Sequence, residues 1–313
     1  MIGHFADKLS RAIQRKRSRL CVGIDPRFEL LPGELVAKAL DRTSSRAEAA
    51  AMAVRDFSLS VIEAVSPIVP CVKVQLAYFE ALGWRGLKAF DEVTRAASDS
   101  GLVVIADGKR GDIGATSEAY ARAYLGGFKI CEKQIVPFET DALTVNPYMG
   151  GDAVLPFVKQ AAENAKGVFV LVRTSNPSGA ELQDRIVDDR PVWEHAADRV
   201  HETGEVTRCG DSGYPPVGAV VGATRPAELA RLRELLPNVI FLVPGFGAQG
   251  GSAADTVAAF DKKGLGAVVN SSRAILFPKS RRGALDDSNW MTAVVQAAKE
   301  SSRAINEAIG IPE

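Results

Sequence analysis

The residues most able to carry chemistry in this 313-residue chain lie in Ala106-Asp107-Gly108-Lys109-Arg110-Gly111-Asp112-Ile113, where a lysine stands between two acids directly after an apolar run. If Asp107 and Lys109 are still extended at the end of a strand, their i, i+2 spacing points both the same way, with Asp112 beyond on the following loop. An ammonium flanked by carboxylates suits proton donation rather than attack as a free amine. Most charged triplets are surface salt-bridge clusters, but this one ends a strongly apolar run. Two more apolar runs end the same way, at Asp25 in Val-Gly-Ile-Asp-Pro-Arg and at Lys73 in Cys-Val-Lys-Val-Gln-Leu. Lys73 either points into a polar mouth or snorkels to solvent from a strand end. Together Asp25, Lys73, Asp107, Lys109 and Asp112 would form an array of alternating charge.

A second signal is Val243-Pro244-Gly245-Phe246-Gly247-Ala248-Gln249-Gly250-Gly251, followed by Ser252-x-x-Asp255, which reads as a capping box opening a helix. The glycines match GxGxxG, yet they come late in the chain, and the next apolar run ends in Asn270 rather than in an acid for a ribose. A loop that brings backbone N–H groups to a single phosphate fits better, with Arg273 of Asn270-Ser271-Ser272-Arg273 supplying a guanidinium. The competing reading is a tight glycine turn with no ligand. Thr174-Ser175-Asn176-Pro177-Ser178 would serve equally well to hydrogen-bond a substrate ring or to form a turn. His4, His195 and His201 form no metal-ligand pattern and read as surface residues. No Ser/His/Asp or Cys/His arrangement stands out.

The elements that must position these groups are short apolar runs: 20–24, 70–72, 102–106, 142–145, 168–172, 217–221, 240–243 and 267–269. They are rich in Val and Ile and apolar on both faces, as strands of a fully covered parallel sheet are. Between them lie segments of helical composition, among them 46–65, 117–125, 152–164, 226–236, 252–262 and 289–308. About eight β/α alternations predict a closed (β/α)8 TIM barrel, an α/β fold, over an open sheet. In such barrels catalytic groups sit at the C-terminal ends of strands, where the charged residues above fall. We expect one domain over residues 1–313, with an N-terminal helix at about 1–19 and a charged, Gly- and Pro-interrupted excursion after the fifth strand at about 181–216.

Composition narrows the function. Hydrophobic residues make up 46% and charged residues 24%, and 38 basic side chains balance 38 acidic ones. There is thus no basic field to attract nucleic acid. No apolar run approaches the roughly 18 residues of a membrane span. The basic run 15–19 reads as a solvated helix face behind the stripe Phe5, Leu9, Ile13, since the apolar segment after it is too short for a signal peptide. The four cysteines, Cys21, Cys71, Cys131 and Cys209, contain no CxxC pair and fit a reducing cytoplasm.

Assembled in order, these motifs resemble the orotidine 5′-phosphate decarboxylase family, in particular its longer-chain bacterial branch with an Ala-Asp-Gly-Lys-Arg-Gly-Asp-Ile core. The likeness runs from Asp25 to Arg273 and covers the Asp-x-Lys-x-x-Asp motif, the lysine of strand two, the glycine loop and the arginine after strand eight. It implies decarboxylation of orotidine 5′-monophosphate to uridine 5′-monophosphate without cofactor or metal. Carried over by position, Asp25 and Lys73 bind ribose hydroxyls, Asp107 sits against the substrate carboxylate, and Lys109 protonates C6. By the same resemblance Asp112 and Thr116 reach into a neighbouring subunit of a homodimer, and Ser175 contacts the pyrimidine. Gln249, Arg273 and the backbone at Gly250 and Gly251 hold the phosphate. The excursion departs from the shortest family members. Rival readings are a metal-dependent sugar-phosphate decarboxylase or aldolase of the same barrel group, a Schiff-base aldolase using Lys73 or Lys109, and an inert nucleotide-binding barrel. Lys73, where a metal enzyme carries an acidic ligand, argues against the first.

Overall fold

The computed structural model describes residues 3–247, 249–278 and 289–311. Eight parallel strands close into a barrel. They are β1 (Leu20–Ile24), β2 (Cys71–Gln75), β3 (Val103–Arg110), β4 (Ala142–Val145), β5 (Gly167–Arg173), β6 (Val217–Val221), β7 (Phe241–Val243) and β8 (Ala267–Ser271). Each pairs with its sequence neighbours, and β8 closes on β1 through Leu20 opposite Val269 and Cys21 opposite Asn270.

Alternation along the strands sorts side chains into two apolar layers. Cys21, Cys71, Val103, Ile105, Phe169, Leu242 and Val268 fill the barrel interior, while Val22, Val72, Val74, Val104, Leu143, Val170 and Val269 pack outward against the helices. The inward parity that begins with Cys21, Cys71 and Val103 arrives at Asp25, Lys73, Gln75 and Asp107. The polar mouth therefore continues the apolar floor by register: Gly23 lies opposite Lys73, Lys73 opposite Ile105, and Gln75 opposite Asp107.

Several expectations need correction. Lys73 and Asn270 lie inside β2 and β8, because strand pairing continues past the last apolar residue. The segment 252–262 forms only a 3-10 helix at Ala254–Ala259, although the reciprocal Ser252–Asp255 bonds of the capping box are made. The excursion contains the barrel's fifth helix, Val192–Glu205, which buries Trp193, Ala197 and Val200. Its apolar positions were hidden by the charges around them. Arg19 departs from the solvated face expected of the basic run: it is buried beneath β1, where it donates to Gly264 O at 3.0 Å and Asn306 Oδ1 at 3.1 Å.

The N-terminal helix, Phe5–Lys16, stoppers the end of the barrel opposite the mouth. Phe5 meets Phe169 edge-on at 5.8 Å, and Asp7 accepts the N–H groups of Asp211 and Ser212 at 3.0 and 2.7 Å, tying the helix to the chain before β6. Leu9, fully buried within this stopper, gives a clean separation of stability from chemistry. Leu9→Ala should lower unfolding free energy by about 3 kcal/mol in urea titration and leave kcat unchanged; a comparable fall in kcat would mean that the stopper communicates with the mouth.

Candidate active site

At the mouth, Asp107 is the hub. Its Oδ2 accepts from Lys73 Nζ at 2.6 Å and Gln75 Nε2 at 2.9 Å, and its Oδ1 accepts from Lys109 Nζ at 2.6 Å and Thr144 Oγ1 at 2.9 Å. Asp25 Oδ1 stands 4.0 Å from Lys73 Nζ. Lys73 and Asp107 are each 5% exposed. Burial alone would push the Asp107 carboxyl up, but the ammonium groups of Lys73 and Lys109 outweigh it and hold the acid well below the usual carboxylate range. Burial would likewise lower Lys73; Asp107 and Asp25 overcome it and keep the ammonium above its ordinary range.

Lys109 reaches this array by a different route from the extended one expected. The pairing of β3 with β4 slips between Ala106, opposite Leu143, and Arg110, opposite Val145. Lys109 adopts a left-handed backbone, φ 46°, and its N–H donates to Thr144 Oγ1 at 2.9 Å. Thr144 thus bonds both the backbone of the lysine and the carboxylate its side chain meets. A bulge of this kind re-aims a side chain at the end of a strand. The Lys109 side chain stays 48% exposed, so substrate and water can both reach it.

The array borders a cavity of about 680 Å³ that is floored by Leu171, Val220 and Leu242. Ser175, Gln249 and Arg273 line its far side with Pro244 and Gly245. Lys73, Lys109, Arg27 and Arg273 outnumber Asp25 and Asp107 around it, which favours an anionic occupant. Gly250 and Gly251 do not line the cavity: their N–H groups donate to Gly247 O at 3.0 Å and Gly245 O at 3.1 Å, inside the loop. Asp112, half-buried, and Thr116, exposed, also lie outside it. Asp112 Oδ1 accepts the N–H of Ile113 at 2.8 Å.

Sequence reasoning passed over Gln75, Thr144, Tyr78 and Arg27, all of which line the cavity. Inward parity with Lys73 could have found Gln75; nothing local marks Thr144. The histidines lie elsewhere. His4 accepts from Ala6 N as the cap of the first helix, His195 bonds Val187 O, and His201 pairs with Glu205.

A (β/α)8 barrel with a buried ion array on one side of its mouth and a glycine loop with an arginine on the other is built as an enzyme for a small anionic molecule. The profile of the orotidine 5′-phosphate decarboxylase / HUMPS family matches residues 18–287. An orotidine 5′-phosphate decarboxylase of Rhodopirellula baltica is 49% identical over 293 residues, 93% of this chain and 95% of that one. One from Deinococcus radiodurans is 41% identical over 98% of both chains. The solved Leishmania donovani OMP decarboxylase superposes with a TM-score of 0.75 at 32% identity, covering 99% of this chain and 100% of that one. The chain belongs to the orotidine 5′-phosphate decarboxylase family.

The ion array also sets the response to acid. Because the Asp107 carboxyl is held below its ordinary 3.8, the stability it contributes is full above that pH and drains away as pH falls below it. Asp107→Asn leaves Lys73 buried with Asp25 alone and should cost about 3 kcal/mol at pH 7. Urea titrations of the variant should also show a shallower loss as pH falls from about 4 toward about 2, below the ordinary carboxylate value. Equal stability of the two proteins at pH 7 would show that Asp25 suffices for Lys73.

Proposed function

We propose that the array acts directly on orotidine 5′-monophosphate, with Lys109 donating the proton to C6 as CO2 leaves. The chain is a carboxy-lyase: it converts orotidine 5′-monophosphate to uridine 5′-monophosphate and CO2, a step of pyrimidine nucleotide synthesis. The bond from C6 to the carboxylate breaks, its electron pair stays on C6, and the Lys109 Nζ proton joins that carbon. A carbanion at C6 has no adjacent electron sink, so stabilisation must come from fixed charge close to it. The observation that carries this reading is the 2.6 Å contact between an exposed Lys109 ammonium and a buried Asp107 carboxylate.

In this reading Asp107 lies against the substrate carboxylate, and its repulsion is relieved as CO2 departs. Asp25 and Lys73 take ribose hydroxyls, and Ser175 takes the pyrimidine. Gln249 and Arg273 hold the phosphate, with the glycine loop at Gly250 and Gly251 exchanging its internal bonds for phosphate oxygens. Binding energy gathered at the phosphate, far from C6, then orders the array for the chemical step. Lys73, fixed to Asp107 at 2.6 Å, supplies the positive charge for which the sugar-phosphate rival needs a metal and an acidic ligand.

The active enzyme is a homodimer in this proposal, with Asp112 and Thr116 of each copy completing the site of the other. Their place outside the cavity supports it, as do the large apolar side chains exposed beside them, Ile113, Tyr148 and Met149. The enzyme works in the cytoplasm. Among the described residues no helix is long and apolar enough to cross a membrane, and the thiols, with Cys21 and Cys71 buried opposite each other, suit a reducing compartment.

Turnover is read from the ultraviolet absorbance of the substrate, with and without EDTA. Lys109→Ala and Asp112→Ala should each be inactive yet folded. Mixed, they should regain about a quarter of wild-type turnover, because half of random dimers are mixed and each of those holds one intact site. Activity in Lys109→Ala alone removes it as donor, and no recovery on mixing removes the shared site. Arg273→Ala should raise KM by roughly 30-fold through loss of a charged phosphate contact; an unchanged KM places the phosphate elsewhere.

A further inference from the structure

Arg173, wholly buried at the end of β5, takes no part in the chemistry above. Phe169 and Leu171 face the barrel interior, and strict alternation would send Arg173 after them. A one-residue slip prevents this: Val220 pairs with Leu171 but Val221 with Arg173. The guanidinium instead meets Asp184 at 2.8 Å and Glu228 at 3.5 Å, and its Nη1 donates to Gln183 Oε1 at 3.0 Å. Gln183 and Asp184 belong to the start of the excursion, and Glu228 to the helix after β6, Pro226–Leu235. A buried cation paired to two elements at once fixes their relation to the strand.

Gln183 passes this anchorage to the cavity wall. Its Oε1 also accepts the N–H of Thr174 at 3.0 Å, and its Nε2 donates to Thr174 Oγ1 at 2.8 Å. The next residue, Ser175, is seated from the other side, where its carbonyl accepts from Thr224 Oγ1 at 3.0 Å. Glycine is required on both flanks. A Cβ at Gly222 would stand 2.8 Å from Ser175 Cα, and one at Gly245, where φ is 98°, 3.2 Å from Ser175 Cβ. Thr174, Ser175 and Asn176 all line the cavity.

We infer that Gln183, carried by the excursion and clamped by Arg173, is a positioning residue that presets Thr174–Ser175 for the base of the nucleotide. This rests on the proposed contact of Ser175 with the pyrimidine. A loop held in its binding conformation spares the entropy of ordering it when ligand arrives. The excursion thereby acquires a function: it sets affinity for the base end of the substrate and leaves the phosphate end alone.

The test compares Gln183→Ala, Ser175→Ala and Thr174→Val for KM of orotidine 5′-monophosphate and for competitive inhibition by uridine 5′-monophosphate and ribose 5-phosphate, with Tm measured alongside. Gln183→Ala and Ser175→Ala should each weaken uridine 5′-monophosphate about tenfold and leave ribose 5-phosphate within about twofold. Thr174→Val, which keeps the backbone bond to Gln183, should fall between them and wild type. Normal nucleotide binding in Gln183→Ala, with loss in Ser175→Ala, overturns the inference alone. Parallel loss of ribose 5-phosphate in Gln183→Ala overturns it in favour of a general structural role. No effect of Ser175→Ala overturns the base contact and the inference with it.

Discussion

A carboxylate and an ammonium, both buried in the mouth of the barrel, set the terms for everything around them. Each alone would be too costly to remove from water; each is held ionised by the other. Asp107 is satisfied on both oxygens by four donors, and those donors come from β2, β3 and β4. Three adjacent strands must therefore stay in register for the array to exist, and the apolar floor beneath them keeps that register. Charge on the mouth and hydrocarbon in the interior are two ends of one alternation.

This dependence explains where the structure departs from regularity. A straight β3 would leave Lys109 further along the strand and extended; the bulge and the left-handed φ of 46° bring its ammonium back to Asp107. Thr144 bonds the lysine backbone and the same carboxylate, so strain at one residue is held by two contacts. At β5 the slip works in the opposite sense and takes a cation out of the cavity. Had Arg173 followed the parity of Leu171, it would have pointed into the cavity and away from Asp184 and Glu228. Both irregularities fall at the C-terminal ends of strands, where the barrel can bend without disturbing its core.

Much of this was legible in the residues. Val- and Ile-rich runs ending in a polar or turn residue located all eight strands, because strands covered on both faces must be apolar throughout. The alternation with helical segments then left few topologies. Asp25, Lys73, Asp107, Lys109, Ser175, Gln249 and Arg273 were all picked from sequence and all border the cavity. The helix Val192–Glu205 was missed because its polar face dominates its composition, and Thr144 because a threonine inside an otherwise apolar run carries no signal of its own.

Sequence by itself determined the elements, their order and the chemical groups at the mouth, since periodicity and residue type are local properties. Tertiary structure alone decided which oxygen meets which nitrogen, that Lys109 arrives by a bulge, and that Arg173 is turned away from the cavity toward Gln183. Those outcomes hang on register between strands more than 30 residues apart in the chain, as with Lys73 and Asp107, which are 34 residues apart in sequence. A one-residue slip there moves a charge from one face of the sheet to the other, and no local pattern records it.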